Sequence, residues 1–211
     1  MDTSSLERQF DQWAASYDAD VGDSTEFPFG GYDRVLGRVV ELAAVAPGME
    51  VLELGPGTGN LTARLVAAGA SVWALDFSAA MLARARAKVP AAHFAKAGLM
   101  DAYPPEFHRP FGCVVATYTF HELPATDKLT LLRRLLAEHL APDGRIVIGD
   151  IGFPDAAARE TAKQRAGGAW DEEYYWLAGE TADMLAAMHL GHTWEQISTC
   201  GFVLSVWLEK P

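Results

Sequence analysis

The chain has 211 residues, half of them hydrophobic, and its 17 basic and 28 acidic residues give a formal net charge of −11. This length and apolar content suffice for one domain with a buried core, while the negative charge argues against a nucleic acid partner. Cys113 and Cys200 stand apart and outside any CxxC pair, which favours a reducing, cytoplasmic setting, and no apolar run approaches the ~20 residues needed to span a membrane.

The first 46 residues are predicted to form two amphipathic helices joined by a loop. An apolar stripe at helical spacing marks the first helix, over about residues 4–18: Leu6, Phe10, Trp13 and Tyr17. A segment rich in Gly, Pro and Asp covers 18–31, and a second helix is expected over 32–46, before the turn at Pro47-Gly48.

Strands and helices alternate from residue 47 onward. Strands are predicted at 49–54, 71–76, 92–96, 111–117 and 145–151, and helices at 60–68, 79–88 and 126–140, with Ser78 as an N-cap. This alternation predicts an α/β fold with a doubly wound, mostly parallel sheet of about seven strands or one fewer.

The C-terminal third is less regular. Helices are predicted near 154–166, 181–189 and 194–200, the last with Thr193 and Gln196 in a capping-box arrangement. One strand, over 202–209, is expected to close the chain.

The segment VLELGPGTGNL, residues 51–61, is the most informative motif. Three glycines, Gly55, Gly57 and Gly59, follow a strand and precede a helix, which is typical of a site where a ligand approaches the backbone. The third glycine comes one residue too early for the dinucleotide pattern, which would need a glycine at Asn60, so a nicotinamide oxidoreductase is disfavoured. The flanking acids Glu53 and Asp76 suit a ligand with an amino group and a ribose.

These motifs resemble the class I methyltransferases that use S-adenosyl-L-methionine. Segments 111–123 and 140–151 resemble the family's fourth strand with its loop and the turn into its fifth strand, and residues 10–18 resemble the entry segment of small-molecule methyltransferases related to quinone biosynthesis and of uncharacterised bacterial relatives. The resemblance covers roughly residues 6–208. It implies a single Rossmann-like domain with an N-terminal helical lid over 1–46 and an α/β core over 47–211.

The resemblance also implies a small-molecule methyl acceptor, a monomer or homodimer, and no metal. The implied cofactor-binding residues are Tyr17, Glu53, Gly55, Pro56, Gly57, Gly59, Asp76, Phe77, Met81, Leu99, Met100 and Thr117. Asp76 would bind the ribose hydroxyls and Phe77 would pack on adenine, whereas Glu53 would either reach the methionine amino group or brace the loop. Leu99 stands where the family has an acid for the adenine amino group, and Asp101 comes two residues late.

The acceptor side is predicted from Thr117 to Leu123. His121 is the candidate general base and acceptor ligand, because its ordinary pKa lies near neutrality; the alternative is a histidine that bonds its own loop backbone. A zinc-protease motif is ruled out because residue 125 is Ala125 and Pro124 breaks the required helix. Tyr32 either lines the substrate side or packs its helix.

A second hypothesis is a protein that binds S-adenosylmethionine or S-adenosylhomocysteine (SAH) without transferring a methyl group. Leu99 and the expected single terminal strand are the two observations in its favour.

Overall fold

The computed structural model describes residues 3–22 and 26–209. The helices are α1 (Thr3–Trp13), α2 (Tyr17–Gly22), α3 (Tyr32–Ala43), α4 (Asn60–Ala67), α5 (Ala79–Lys88), α6 (Ala125–Arg134), α7 (Ala156–Ala166) and α8 (Ala178–Ala186). The strands are β1 (Glu50–Leu54), β2 (Ser71–Asp76), β3 (His93–Lys96), β4 (Phe111–Thr117), β5 (Leu140–Phe153), β6 (Trp176–Leu177), β7 (Leu190–Gln196) and β8 (Gly201–Leu208).

The central sheet has the order β3-β2-β1-β4-β5-β8-β7, and the short β6 pairs with the end of β5. The five strands β3, β2, β1, β4 and β5 run parallel to one another, whereas β8 is antiparallel to β5 and β7 is antiparallel to β8. The predicted doubly wound, mostly parallel sheet is confirmed. The strand order reverses between β1 and β4, and the carboxyl ends of parallel strands at such a reversal form a crevice where ligands bind.

Helices cover both faces of this sheet. Side chains of α3 and α4 pack on one face, including Leu36 and Leu65, and side chains of α6 and α8 pack on the other, including Leu132 and Leu185. In the described parts of the chain, no helix is long and apolar enough to cross a membrane.

The predicted helix over 194–200 is wrong. Residues Leu190–Gln196 form β7, because side chains along it alternate between partly buried and exposed positions and the Trp194 ring stacks on Phe202 of β8 at 3.8 Å between ring centres. Gln196 is not part of a capping box: its amide donates to the carbonyls of Gly152 and Gly201. The sheet therefore ends in two antiparallel strands rather than the expected one.

The N-terminal helices differ in detail from the prediction. The predicted continuous helix over 4–18 is divided, since α1 ends at Trp13 and a second helix, α2, begins at Tyr17 and continues to Gly22, inside the segment predicted as a loop. The predicted N-cap of α5 is confirmed, because the Ser78 hydroxyl accepts from the Met81 N–H at 3.1 Å. The Ser78 hydroxyl also donates to Asp11 of α1 at 2.6 Å, which joins α1 to the core.

Candidate active site

A cavity of about 480 Å³ lies at the carboxyl ends of β1, β2 and β4, and residues of α1 and α2 cover it. Many of the predicted cofactor-binding residues line it: Tyr17, Gly55, Gly57, Asp76, Phe77, Met81, Leu99, Met100 and Thr117. The cavity therefore lies where the strand order predicts a ligand.

The glycine turn after β1 has left-handed backbone conformations that favour glycine. Gly55 has φ +68°, and a Cβ there would lie 2.5 Å from the Thr119 hydroxyl oxygen. Gly57 has φ +54°, and a Cβ there would meet nothing within 4 Å, because this residue borders the cavity. The absence of a Cβ at Gly55 makes room for the Thr119 side chain, and the absence of a Cβ at Gly57 leaves space for a ligand in the cavity.

Asp76 ends β2 with its carboxylate between the glycine turn and α5. One oxygen accepts from the Gly57 N–H at 3.0 Å, and the other accepts from the Ser78 N–H at 2.8 Å. Burial raises the pKa of Asp76 to about 6, against the opposing effect of these two N–H groups. At neutral pH the cavity is therefore bordered by a buried carboxylate.

Glu53 lies behind the glycine turn and is fully buried. One oxygen accepts from the Thr62 hydroxyl at 2.6 Å, and the other is buried without a hydrogen-bond partner among the described residues. Burial raises its pKa to about 8. Glu53, Pro56 and Gly59 are not among the residues that line the cavity, so the position of Glu53 favours the loop-bracing alternative.

The segment after β3 forms another wall of the cavity. The carbonyl oxygens of Leu99, Met100 and Asp101 all accept from the Arg134 guanidinium of α6, which fixes this loop. The Asp101 carboxylate accepts from the Gly98 N–H at 2.7 Å, and Asp101 lines the cavity. Asp101 therefore lines the first cavity together with Leu99, although it comes two residues later in the sequence than the acid that the family resemblance expects.

A second cavity of about 430 Å³ adjoins the first, and the two share the wall residues Phe10, Tyr17, Tyr118 and Glu122. The rest of its lining is largely aromatic and acidic and includes Trp13, Phe27, Phe29, Asp171, Glu173 and Tyr175, together with His121. The second cavity is enclosed by groups that bind flat or positively charged molecules.

Tyr32 lies outside the lining of both cavities. Its ring packs on Tyr118 with 5.2 Å between ring centres, and its hydroxyl accepts from the Asn60 amide at 3.2 Å. This position favours the packing alternative over the predicted substrate contact.

His121 bonds to a buried carboxylate rather than to its own loop backbone, so that alternative is wrong. Its Nδ1 donates to Asp150 at 2.5 Å, and its backbone N–H donates to the other Asp150 oxygen at 2.9 Å. Burial alone would lower the pKa of His121, but the charge and hydrogen bond of Asp150, with smaller effects of Glu173 and Glu122, raise it to about 9. The ring is then a cation at neutral pH, which does not favour the predicted general-base role.

Asp150 is the partner of His121 in the candidate site, and the sequence patterns did not single it out. It lies in the buried strand β5, accepts from the Trp176 indole at 3.0 Å, and is fully buried. A carboxylate within an otherwise apolar strand is the signal that identifies such a residue, because a buried charge needs a partner.

Acidic residues of the N-terminal helices bind the core beside the first cavity. Asp18 of α2 accepts from the Thr58 hydroxyl at 2.5 Å and from the Lys88 ammonium at 2.8 Å. Glu7 of α1 pairs with Lys96 at 2.5 Å. These contacts hold α1 and α2 over the first cavity.

Known proteins resemble this chain in sequence and in fold. Residues 51–144 match a family model described as a methyltransferase domain. The uncharacterised methyltransferase GK2543 of Geobacillus kaustophilus is 36% identical over 196 residues, which cover 87% of this chain and 86% of the relative. The uncharacterised methyltransferase YrrT of Bacillus subtilis is 33% identical over 175 residues, covering 81% and 78%.

A solved structure with bound SAH has a similar fold. Magnesium protoporphyrin IX methyltransferase (ChlM) from Synechocystis PCC 6803 gives a TM-score of 0.76 at 16% identity, covering 99% of this chain and all of the other chain.

Proposed function

Because this chain belongs to the S-adenosylmethionine-dependent methyltransferases, we propose that it methylates a small molecule bound in the second cavity. The observation that carries this proposal is the junction of the two cavities. A cofactor in the first cavity and an acceptor in the second would meet at the shared wall residues Phe10, Tyr17, Tyr118 and Glu122. Both cavities are of the size that small molecules occupy in proteins.

The residues of the first cavity fit S-adenosylmethionine. The Asp76 carboxylate offers oxygens for the ribose hydroxyls, and Gly57 leaves room for close approach to the backbone. Phe77 and Met81 offer apolar contact to adenine, and Asp101 offers a carboxylate for its amino group. Tyr17 covers the cavity from α2.

S-adenosylmethionine, when bound, supplies a methyl group already activated by the sulfonium. The contribution of this chain is then to bind, orient and exclude water. The aromatic rings of Trp13, Phe29 and Tyr118 would hold the acceptor against the cofactor, and α1 and α2 would close over both. His121 lines the second cavity beside the acceptor, and its bond to Asp150 does not favour a role in taking the acceptor's proton.

The alternative of a protein that binds the cofactor without methyl transfer loses one of its two supports. The terminal sheet has both antiparallel strands, β7 and β8. Leu99 remains a departure from the family pattern, but Asp101 lines the same wall.

A variant that fills the second cavity tests the proposal. Ala169 is an exposed residue at the border of this cavity and does not line the first, so Ala169→Trp should obstruct the acceptor and leave cofactor binding intact. Ala68→Trp, at the exposed end of α4, is the matched control. The assay measures SAH released from S-adenosylmethionine with the small-molecule fraction of a cell extract.

We expect release of SAH by the wild type and by Ala68→Trp, and strongly reduced release by Ala169→Trp with unchanged SAH affinity. Methyl transfer to the macromolecular fraction alone, or equal release by Ala169→Trp, would contradict an acceptor site in the second cavity.

A further inference from the structure

We propose that His121, Glu122 and Glu173 form a binding site for a divalent transition-metal cation where the two cavities meet. The imidazole Nε2 of His121 and one carboxylate oxygen of each glutamate lie within 4.8 Å of one another. His121 and Glu122 follow β4 in one short helical turn, whereas Glu173 comes from the segment before β6. The family resemblance implies no metal, and these three residues share no ligand spacing along the chain that would indicate one.

The distances from Nε2 of His121 to the two glutamate carboxylates are suitable for binding one cation between them. Nε2 of His121 lies 4.0 Å from the Glu122 carboxylate and 3.8 Å from the Glu173 carboxylate, which is too far for a hydrogen bond. Ligands around a tetrahedral cation with ~2.1 Å bonds lie ~3.4 Å apart. The two Nε2 separations exceed this spacing by about half an ångström, and the two glutamate oxygens lie within 4.8 Å of each other, so side-chain rotations would bring all three atoms to one ion.

Asp150 orients the imidazole for this role. It accepts from the Nδ1 and the backbone N–H of His121, from the Trp176 indole at 3.0 Å and from the Ile151 N–H at 2.9 Å. Because Nδ1 donates to Asp150, the opposite nitrogen, Nε2, faces the two glutamates, and a bound cation would displace the proton that Nε2 carries in the metal-free protein. A buried carboxylate that fixes a histidine in this way is the usual support of a metal-bound imidazole.

Burial provides an independent indication. The His121 side chain is only 9% exposed, and its Nε2 makes no hydrogen bond to the part of the chain that the structure describes. Nε2 therefore faces two carboxylates at distances longer than a hydrogen bond, an arrangement that a cation shared by all three groups would join.

The local charge also favours a cation. Glu122 and Glu173 face His121, Asp171 lines the same cavity, and Asp150 lies behind the imidazole. Lys128 interacts electrostatically with Asp150, but its ammonium group donates to a backbone carbonyl. A divalent ion would balance this excess negative charge.

The donor set selects among metals. One imidazole nitrogen with two carboxylate oxygens suits Zn²⁺ or Mn²⁺, whereas Mg²⁺ and Ca²⁺ prefer oxygen ligands alone. The Glu122 and Glu173 side chains are 24% and 27% exposed, so an ion can enter through the second cavity.

Zn²⁺ and Mn²⁺ titrations of the metal-stripped, tag-free protein by calorimetry test the site, with Mg²⁺ for comparison. We expect one equivalent of Zn²⁺ to bind, with affinity lowered at least about tenfold in His121→Ala, Glu122→Gln and Glu173→Gln. The matched controls are His93→Ala and Glu106→Gln, both at exposed positions outside the two cavities, and these should bind Zn²⁺ like the wild type.

Asp150→Asn tests the positioning role separately, because it should weaken Zn²⁺ binding by roughly 10–100-fold without changing the stoichiometry. Circular dichroism monitors folding; should His121→Ala unfold, the partly exposed Glu122→Gln and Glu173→Gln still decide the question. An SAH titration of Glu173→Gln, which we expect to match the wild type, separates this inference from the proposed function.

Failure of Zn²⁺ and Mn²⁺ to bind at millimolar concentration would overturn the metal site. Binding that is equally strong in Glu122→Gln and Glu173→Gln would also overturn it.

Discussion

Replacing Asp76 with asparagine should separate cofactor affinity from stability. The carboxylate accepts two backbone N–H groups and faces the first cavity, where we expect the ribose hydroxyls. An amide keeps the shape but offers one acceptor oxygen and no charge. A hydrogen bond to a charged group contributes about 1.5–3 kcal/mol, so the Kd for SAH should rise roughly 10- to 150-fold.

The stability of the ligand-free protein should not fall in parallel. The pKa of Asp76 is raised from an ordinary 3.8 to about 6, which means that ionising it in the folded state costs roughly 3 kcal/mol at neutral pH. The Asp76→Asn variant avoids that cost and loses one backbone hydrogen bond, worth about 1–3 kcal/mol when buried. We therefore expect an unchanged or slightly higher free energy of unfolding.

Two assays measure these effects. Calorimetric SAH titration at several pH values should show wild-type affinity falling as the pH drops below about 6, since protonation removes the acceptor charge, and Asp76→Asn should show no such dependence. Urea denaturation gives the free energy of unfolding. Asp183→Asn, at an exposed position on α8, is the matched control. An affinity for Asp76→Asn within about threefold of the wild type would refute the ribose assignment.

Three further changes test other parts of the site. Glu53→Gln should remove a pH dependence of the free energy of unfolding. Because the pKa of Glu53 is raised to about 8, the free energy of unfolding of the wild type should fall by about 1.4 kcal/mol as the pH rises from 7 to 9. An equal fall in the variant, measured by urea denaturation, would contradict this. Asp18→Ala removes the hydrogen bond to Thr58 and the ion pair with Lys88, which together contribute about 1–2 kcal/mol after allowance for exposure. The rate of SAH dissociation, measured by stopped flow, should therefore rise roughly 5–30-fold. An unchanged rate would exclude a covering role for α2. Gly55→Ala should cost roughly 2–4 kcal/mol of stability because of positive φ and the Thr119 contact, and a thermal midpoint like that of the wild type would contradict the packing described.

The sheet and the glycine turn could be predicted because their signals are local. Apolar runs of strand length marked β2 and β4 at their observed bounds, and the glycines of residues 55–59 marked the turn after β1. The strand order then brought Asp76 and Thr117 to one edge. Their roles toward the cofactor remain predictions.

The second cavity could not be predicted in the same way because its contacts join distant segments. His121 pairs with Asp150 of β5, and Glu173 approaches it from before β6. No pattern of residue spacing in the sequence indicates that His121, Asp150 and Glu173 lie close together. The wrong helix prediction at β7 has a related cause. Thr193 and Gln196 have the local spacing of a helix N-terminus, but pairing with β8 and stacking of Trp194 on Phe202 stabilise a strand.

A crystal structure of the protein with bound SAH tests the central claim most directly. The two-cavity arrangement predicts ribose hydroxyls on Asp76 and a sulfur atom that faces the second cavity between Tyr17 and Tyr118. A nucleoside bound elsewhere would contradict the cofactor site, and a sulfur directed away from the second cavity would contradict the acceptor site.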